Sequence, residues 1–172
     1  SNNLSLRDSA NFGIYAGESV TLVYDGSKWV EINRSVKTVL DTVSITSNVT
    51  FTATTEATAN TIVTSNSVTF DGSTPIKIVF AASELSMPTN VNGVLVLYDG
   101  SSSVGYMNNI TQPTAALYSM GIPLRYEARL IPTAAARAYS IRGYVTSGTG
   151  TIYIGAGGSG ARRPGVLQII RD

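Results

Sequence analysis

The sequence contains no cysteine and no histidine. The first absence excludes a disulfide-stapled fold, and the second excludes triads and general bases built on imidazole. Together they remove the usual ligands of zinc sites. Charge is sparse too: 13% of the 172 residues are Asp, Glu, Lys or Arg, and the formal net charge is +1. Nucleic-acid binders draw most of their affinity from neutralising phosphates, so binding to nucleic acid is not expected. No apolar run approaches the roughly 18 residues of a membrane-spanning helix, and membrane insertion is not expected either. The opening Ser1-Asn2-Asn3-Leu4-Ser5-Leu6-Arg7 lacks the basic and then apolar segments of a secretion signal. The chain starts at Ser1 without an initiator Met, as expected of a piece of something longer.

What is present is apolar and small-polar. Hydrophobic residues make up 43%, and 51 of 172 residues are Ser, Thr or Asn. Ample Val, Ile and Leu with little charge argues against disorder. A chain of this length buries roughly 70% of its unfolded surface, enough for a core without metal or disulfide.

The dominant period is two. Leu124, Tyr126, Ala128 and Leu130 alternate with Arg125, Glu127 and Arg129, and Tyr139, Ile141 and Val145 share one face of a second segment. Such alternation marks strands with one buried face. Further strands are expected at 19–24, 29–33, 45–54, 67–70, 76–80, 94–98, 151–154 and 166–170, from their β-branched and aromatic content. The fold class expected is all-β, an antiparallel sandwich or jelly roll.

Tyr24-Asp25-Gly26-Ser27, Phe70-Asp71-Gly72-Ser73 and Tyr98-Asp99-Gly100-Ser101 share one spelling. Asp-Gly accepts the positive φ of tight turns, so hairpin turns are expected at all three. Calcium ligation by these aspartates is disfavoured, because no second carboxylate stands nearby in any of the loops. The segment 35–43 spaces Val36, Val39, Leu40 and Val43 as on a helix. It reads as a short helical neck or, preferably, a β-branched connector. This gives three parts: a β-hairpin end of an upstream stem at 1–35, a neck or connector at 36–44, and a head domain at 45–172.

No constellation carries clear chemistry. Gly155-Ala156-Gly157-Gly158-Ser159-Gly160 fits the dinucleotide spelling, but Ala161-Arg162-Arg163-Pro164 follows, where a helix and a ribose-binding acid are needed. No cofactor is expected. Glu18, Asp25, Glu31, Glu56, Asp71, Glu84, Asp99 and Glu127 are scattered, so a paired-carboxylate glycan depolymerase is the alternative function and not the favoured one. From residue 125 on, seven arginines stand against Glu127 and Asp172. Pairing along and across strands is preferred over an anion site. Nine tyrosines against four phenylalanines add half-polar aromatic surface of the kind enriched at interfaces.

The stretch Ala16 to Ser35, with Tyr24-Asp25-Gly26-Ser27-Lys28-Trp29-Val30-Glu31 at its centre, resembles a segment of bacteriophage tail-fibre and tail-spike proteins that closes a β stem. Val68 to Ile78, Val96 to Gly100, Arg129 to Ala134 and Tyr139 to Gly143 resemble a tumour necrosis factor-like jelly-roll head domain. The resemblance implies a virion protein in a tail or fibre appendage. It further implies a homotrimer that contacts a host cell-surface polysaccharide or protein, a non-enzymatic role. A purely architectural cap is a further alternative. Leu124, Tyr126, Tyr139, Ile141 and Tyr153 are expected in the core or at the trimer axis, and are the trimer-interface candidates. The loops 101–114 and 155–165 are candidate outer surfaces, with Tyr106, Asn108 and Asn109 as receptor-contact candidates.

Overall fold

The computed structural model describes residues 4–5, 19–35, 38–87, 91–111, 122–153 and 163–172. The described residues form strands with no α-helix, and a single 3-10 turn spans Glu56–Thr58. The first strands are β1 (Leu4–Ser5), β2 (Ser19–Tyr24) and β3 (Trp29–Ser35). They make a small sheet of their own, ordered β1-β3-β2, in which only β1 runs parallel to its neighbour.

The larger body begins with β4 (Val39–Ile45), β5 (Val49–Phe51), β6 (Asn60–Thr64), β7 (Val68–Thr69) and β8 (Ile76–Ser86). It continues through β9 (Asn92–Asp99), β10 (Ser102–Thr111), β11 (Ile122–Leu130), β12 (Ala136–Arg137) and β13 (Tyr139–Val145). It ends with β14 (Gly150–Tyr153) and β15 (Gly165–Arg171). One sheet is ordered β10-β9-β13-β6. The other centres on β8, with β11 along one edge. On its other edge β15 pairs the first half of β8 and β14 the second, and these carry β4 and β5 in turn. A two-stranded ribbon of β7 and β12 completes the body. All of these pairings are antiparallel, so the expected antiparallel β-sandwich is what the chain forms.

The core lies between the two large sheets. Ile76, Ile78, Phe80 and Leu85 of β8 share one buried cluster with Leu95 and Leu97 of β9, Ile141 and Val145 of β13, and Leu167 and Ile169 of β15. Alternation explains the division of labour from Ile76 to Ala82, and the irregularity opposite Ile122 and Leu124 resets the phase so that Leu85 also turns inward. Lys77 and Ser83 of β8 fall on the other face, where they remain partly exposed.

The strand expected at 45–54 shortens to Val49–Phe51, and an unforeseen strand forms at Asn60–Thr64. Three further elements differ from the sequence reading, each for a local reason. Residues 39–45 form a strand of the β8 sheet, and no helix forms over them. The helical spacing arises because Leu40 is the extra residue of a bulge opposite Ile169 and Ile170. The bulge buries Leu40 out of phase with its neighbours. The interval read as a connector therefore contributes a strand to the body. The segment taken for an outer loop at 101–114 is, over Ser102–Thr111, the edge strand β10. Two bulges break its period, one at Val104 and one at Met107. Of the three Asp-Gly turns, Asp25-Gly26 and Asp99-Gly100 close hairpins, with Gly26 at φ 98° and Gly100 at φ 59°. Asp71-Gly72 instead turns the chain from β7 into β8, which lie in different sheets.

Phe51 is fully buried and lies across Gly143 of β13 and Gly150 of β14. A Cβ on Gly150 would stand 2.6 Å from the Phe51 ring, and one on Gly143 would stand 3.2 Å from it. The two glycines thus supply the floor for the ring. Gly150→Val is expected to lower stability by about 1–3 kcal/mol, the usual cost of overpacking a filled core. Chemical denaturation checks this, and Phe51→Leu in the same chain should return part of the loss.

Candidate functional site

Strand β9 is apolar on both faces. Leu95 and Leu97 enter the main core, and Val94, Val96 and Tyr98 form a second buried cluster on the outside of the same sheet. Cross-strand register builds this outer face. Val94 stands opposite Tyr144, Val96 opposite Arg142 and Tyr98 opposite Ser140 on β13. On the other side, Tyr106 of β10 stands opposite Val96 and Ser103 opposite Tyr98. Direct antiparallel partners share a face, so three tyrosines and one arginine converge there.

The 3-10 turn adds a carboxylate. The Tyr98 hydroxyl donates to the Glu56 carbonyl oxygen at 3.1 Å, and the Tyr106 hydroxyl donates to Glu56 Oε2 at 2.8 Å. Hydrogen bonds from Ser103 and Tyr106 hold the Glu56 carboxyl below its ordinary value. The same bond to Glu56, and a second with Tyr144, push the Tyr106 hydroxyl up to about 12. The Arg142 guanidinium lies over the Tyr98 ring at 4.0 Å, a cation–π contact, and donates from Nη2 to the Gly100 carbonyl oxygen at 2.8 Å. Tyr106 itself is 64% exposed. A fixed aromatic face flanked by one negative and one positive group results.

The predicted site residues are dispersed over this frame. Tyr106 belongs to the outer cluster. Asn108 points the other way, because the bulge at Met107 turns it toward β11, where its Nδ2 donates to the Tyr126 hydroxyl. Asn109 is exposed, and its backbone N–H donates to Asn108 Oδ1 at 2.8 Å. Asn108, expected at a receptor, and Tyr126, expected at a trimer axis, therefore join the edges of the two sheets within one chain. Burial raises the Tyr126 hydroxyl above its ordinary value, against the opposing effect of the Asn108 bond. Leu124, Tyr139 and Ile141 are all buried in the core of the single chain. They pack within that core and are not available to a second copy. Tyr153 pairs with Glu84 through the backbone. Its side chain lies outside the described residues, as does most of the loop 155–165.

The other signals resolve as structure. Asp25 Oδ1 accepts from the Ser27 and Lys28 backbone N–H groups, which hold its carboxyl below the ordinary value. Asp71 is partly buried, which raises its pKa, yet its bonds from the Thr74 hydroxyl and the Thr74 and Ser73 N–H groups outweigh that and bring it well below the usual range. Asp99 pairs with Arg137 Nη1 at 2.6 Å. Among the described residues no three His, Cys, Asp or Glu side chains gather as a metal site. Of the seven arginines, Arg125 forms an ion pair with Glu127, Arg129 with Asp172 and Arg137 with Asp99, whereas Arg142 engages a ring and a carbonyl oxygen.

Sequence reasoning missed Tyr98, Tyr144, Arg142 and Glu56 as a group. The signal for two of them was present. Period two places Arg142 and Tyr144 together, opposite Tyr139 and Ile141. Nothing in the chain near Glu56 announces its tyrosine partners, which lie 42 and 50 residues away.

No family model matches the sequence, and no curated protein matches it. Among solved structures, the chain is similar to the crystal structure of the infectious bursal disease virus VP2 subviral particle, with a TM-score of 0.44 and 10% identity. The match covers 88% of this chain and 41% of that one, so the chain spans about two fifths of its neighbour's length.

Two predictions concern the inward-facing residues. The Tyr139 hydroxyl is buried and has no hydrogen-bond partner among the described residues. An unmatched buried hydroxyl costs about 1–3 kcal/mol, so Tyr139→Phe should leave stability unchanged or raise it. Burial first, and then the Asp99 charge, push this hydroxyl up to about 12. An unfolded tyrosine ionises near 10. The neutral form is therefore favoured by folding, and its contribution is complete below about pH 10 and is lost as pH rises through about 12. Denaturation between these values should show a fall in stability that Tyr139→Phe reduces. For the sheet clasp, a double-mutant cycle of Asn108→Ala and Tyr126→Phe should give a coupling of about 0.5–1.5 kcal/mol. Simple additivity of the two losses would show that the bond contributes nothing.

Proposed function

We propose that the chain is a structural module of a virion appendage, a fibre or spike head that contacts the host cell surface and works as a homotrimer. One observation carries the reading. Among the described residues the β2–β3 hairpin pairs with β1 and with no strand of the sandwich, and it holds Leu22, Val23, Tyr24, Trp29 and Ile32 between 36% and 55% exposed. These are five of the nine exposed large hydrophobic residues among those described. Successive strand residues point to opposite faces, so Val23 and Tyr24 place apolar surface on both sides. Tyr24 and Trp29 stack across the hairpin end, with ring centroids 5.4 Å apart.

A hairpin standing alone in water is marginal. A two-fold partner would cover one face with itself and leave the other wet. A cyclic assembly of three gives each copy two different neighbours, one for each face. Self-association thus belongs to the hairpin, in place of the strands that carry Leu124, Tyr139 and Ile141. The resemblance of residues 16–35 to tail-fibre segments supplies the virion setting, and three linked weak sites suit a repetitive cell surface. The role is non-catalytic. Asp25, Asp71 and Asp99 are taken up by their own turns and by Arg137, which supports that view.

The chain should run in solution at three times 18.1 kDa. Trp29→Asp should shift it toward the mass of one copy while the sandwich keeps its cooperative melt. Sedimentation or light scattering decides the matter: a wild-type chain that stays at 18.1 kDa at micromolar concentration would overturn the trimer.

A further inference from the structure

The two outer faces of the sandwich differ in chemistry. The β8 face carries charges that close among themselves: Arg125 with Glu127 at 3.0 Å, Lys77 with Glu127 at 3.8 Å and Arg129 with Asp172 at 3.4 Å. The β9 face carries rings, with the Glu56 carboxylate at the Tyr106 hydroxyl and the Arg142 guanidinium over the Tyr98 ring.

Tyr106 is the exposed member of that face, and it is not free to swing. Its hydroxyl is held by Glu56 at 2.8 Å and bonded with Tyr144. A ring pinned at its tip offers a fixed flat apolar surface. Little ordering remains to be done when a ligand arrives, which favours binding. The apolar C–H face of a pyranose ring matches such a surface in size and flatness.

The charges select among saccharides. Glu56 accepts hydrogen bonds and Arg142 donates them. A ligand that faces both needs groups that do both, and hydroxyls meet that requirement. An anionic polymer would meet the Glu56 carboxylate, and a cationic one the Arg142 guanidinium. We infer that the outer β9–β10–β13 face binds a neutral saccharide, stacked on the Tyr106 ring, with its hydroxyls toward Glu56 and Arg142. This rests on the attachment reading above and names the ligand class of that contact.

The test uses the full 172-residue chain. Immobilised dextran and mannan serve as neutral polymers, and alginate and dextran sulfate as acidic ones. Retention on a neutral polymer is expected. Tyr106→Ala should weaken it about tenfold or more, as for a central aromatic contact. Tyr106→Phe, which keeps the ring and loses the pin, should weaken it less. Matched thermal melts of both variants keep a folding defect apart from a binding one. Retention on the acidic polymers alone, on none of the four, or undiminished by Tyr106→Ala would each overturn the inference. The labelled chain is applied in parallel to a panel of bacterial cells. Adsorption that survives Tyr106→Ala removes the saccharide site and leaves attachment standing, whereas adsorption to no cell removes the attachment reading itself.

Discussion

Burial of the inward rows of β8 and β9 against each other is the constraint on which the other features depend. Ile76, Ile78 and Phe80 share one interior with Leu95, Leu97 and Ile141. With neither disulfide nor metal ligation by cysteine or histidine to help, the drive to remove this apolar surface from water fixes which face of each strand turns inward. Once that is set, the opposite faces are set too. A one-residue slip would exchange every inward side chain for an outward one. The phase that sends Tyr139 and Ile141 inside is the phase that places Arg142 and Tyr144 outside.

Bulges supply the exceptions, and the exceptions position the polar contacts. At Leu40 a bulge turns an extra apolar residue into the core. At Met107 a bulge lets one residue pack on the core and the next reach the Tyr126 hydroxyl at the facing sheet. Tyr106, one step earlier, stays on the outer face. A single irregularity thus divides one edge strand between a structural clasp and the exposed cluster.

The sandwich and the hairpin solve the same problem differently. The sandwich buries its rows within one chain and leaves its β8 face covered by paired charges, which suit contact with water. The hairpin leaves rings and aliphatic side chains exposed on both sides, while its Glu31 is buried. Exposed apolar surface of that concentration is the feature on which the proposed self-association rests.

Much of the fold was legible along the chain. The strands over 124–130 and 139–145 follow from alternation, the one at 19–24 from its β-branched and aromatic content, and the hairpins at Asp25-Gly26 and Asp99-Gly100 from residues that accept positive φ. The strands at 39–45 and 102–111 were not legible, because their bulges break the period that identifies a strand. Of the outer cluster, the sequence determined that Arg142 and Tyr144 lie together. Tertiary structure alone brought Glu56 to Tyr98 and Tyr106, since that contact depends on a turn from one part of the chain lying across strands from another. Tertiary structure also decided that Leu124, Tyr139 and Ile141 fill the interior of one copy. An alternating pattern names the apolar face of a strand, but it does not say whether the layer that covers that face comes from the same chain or from another.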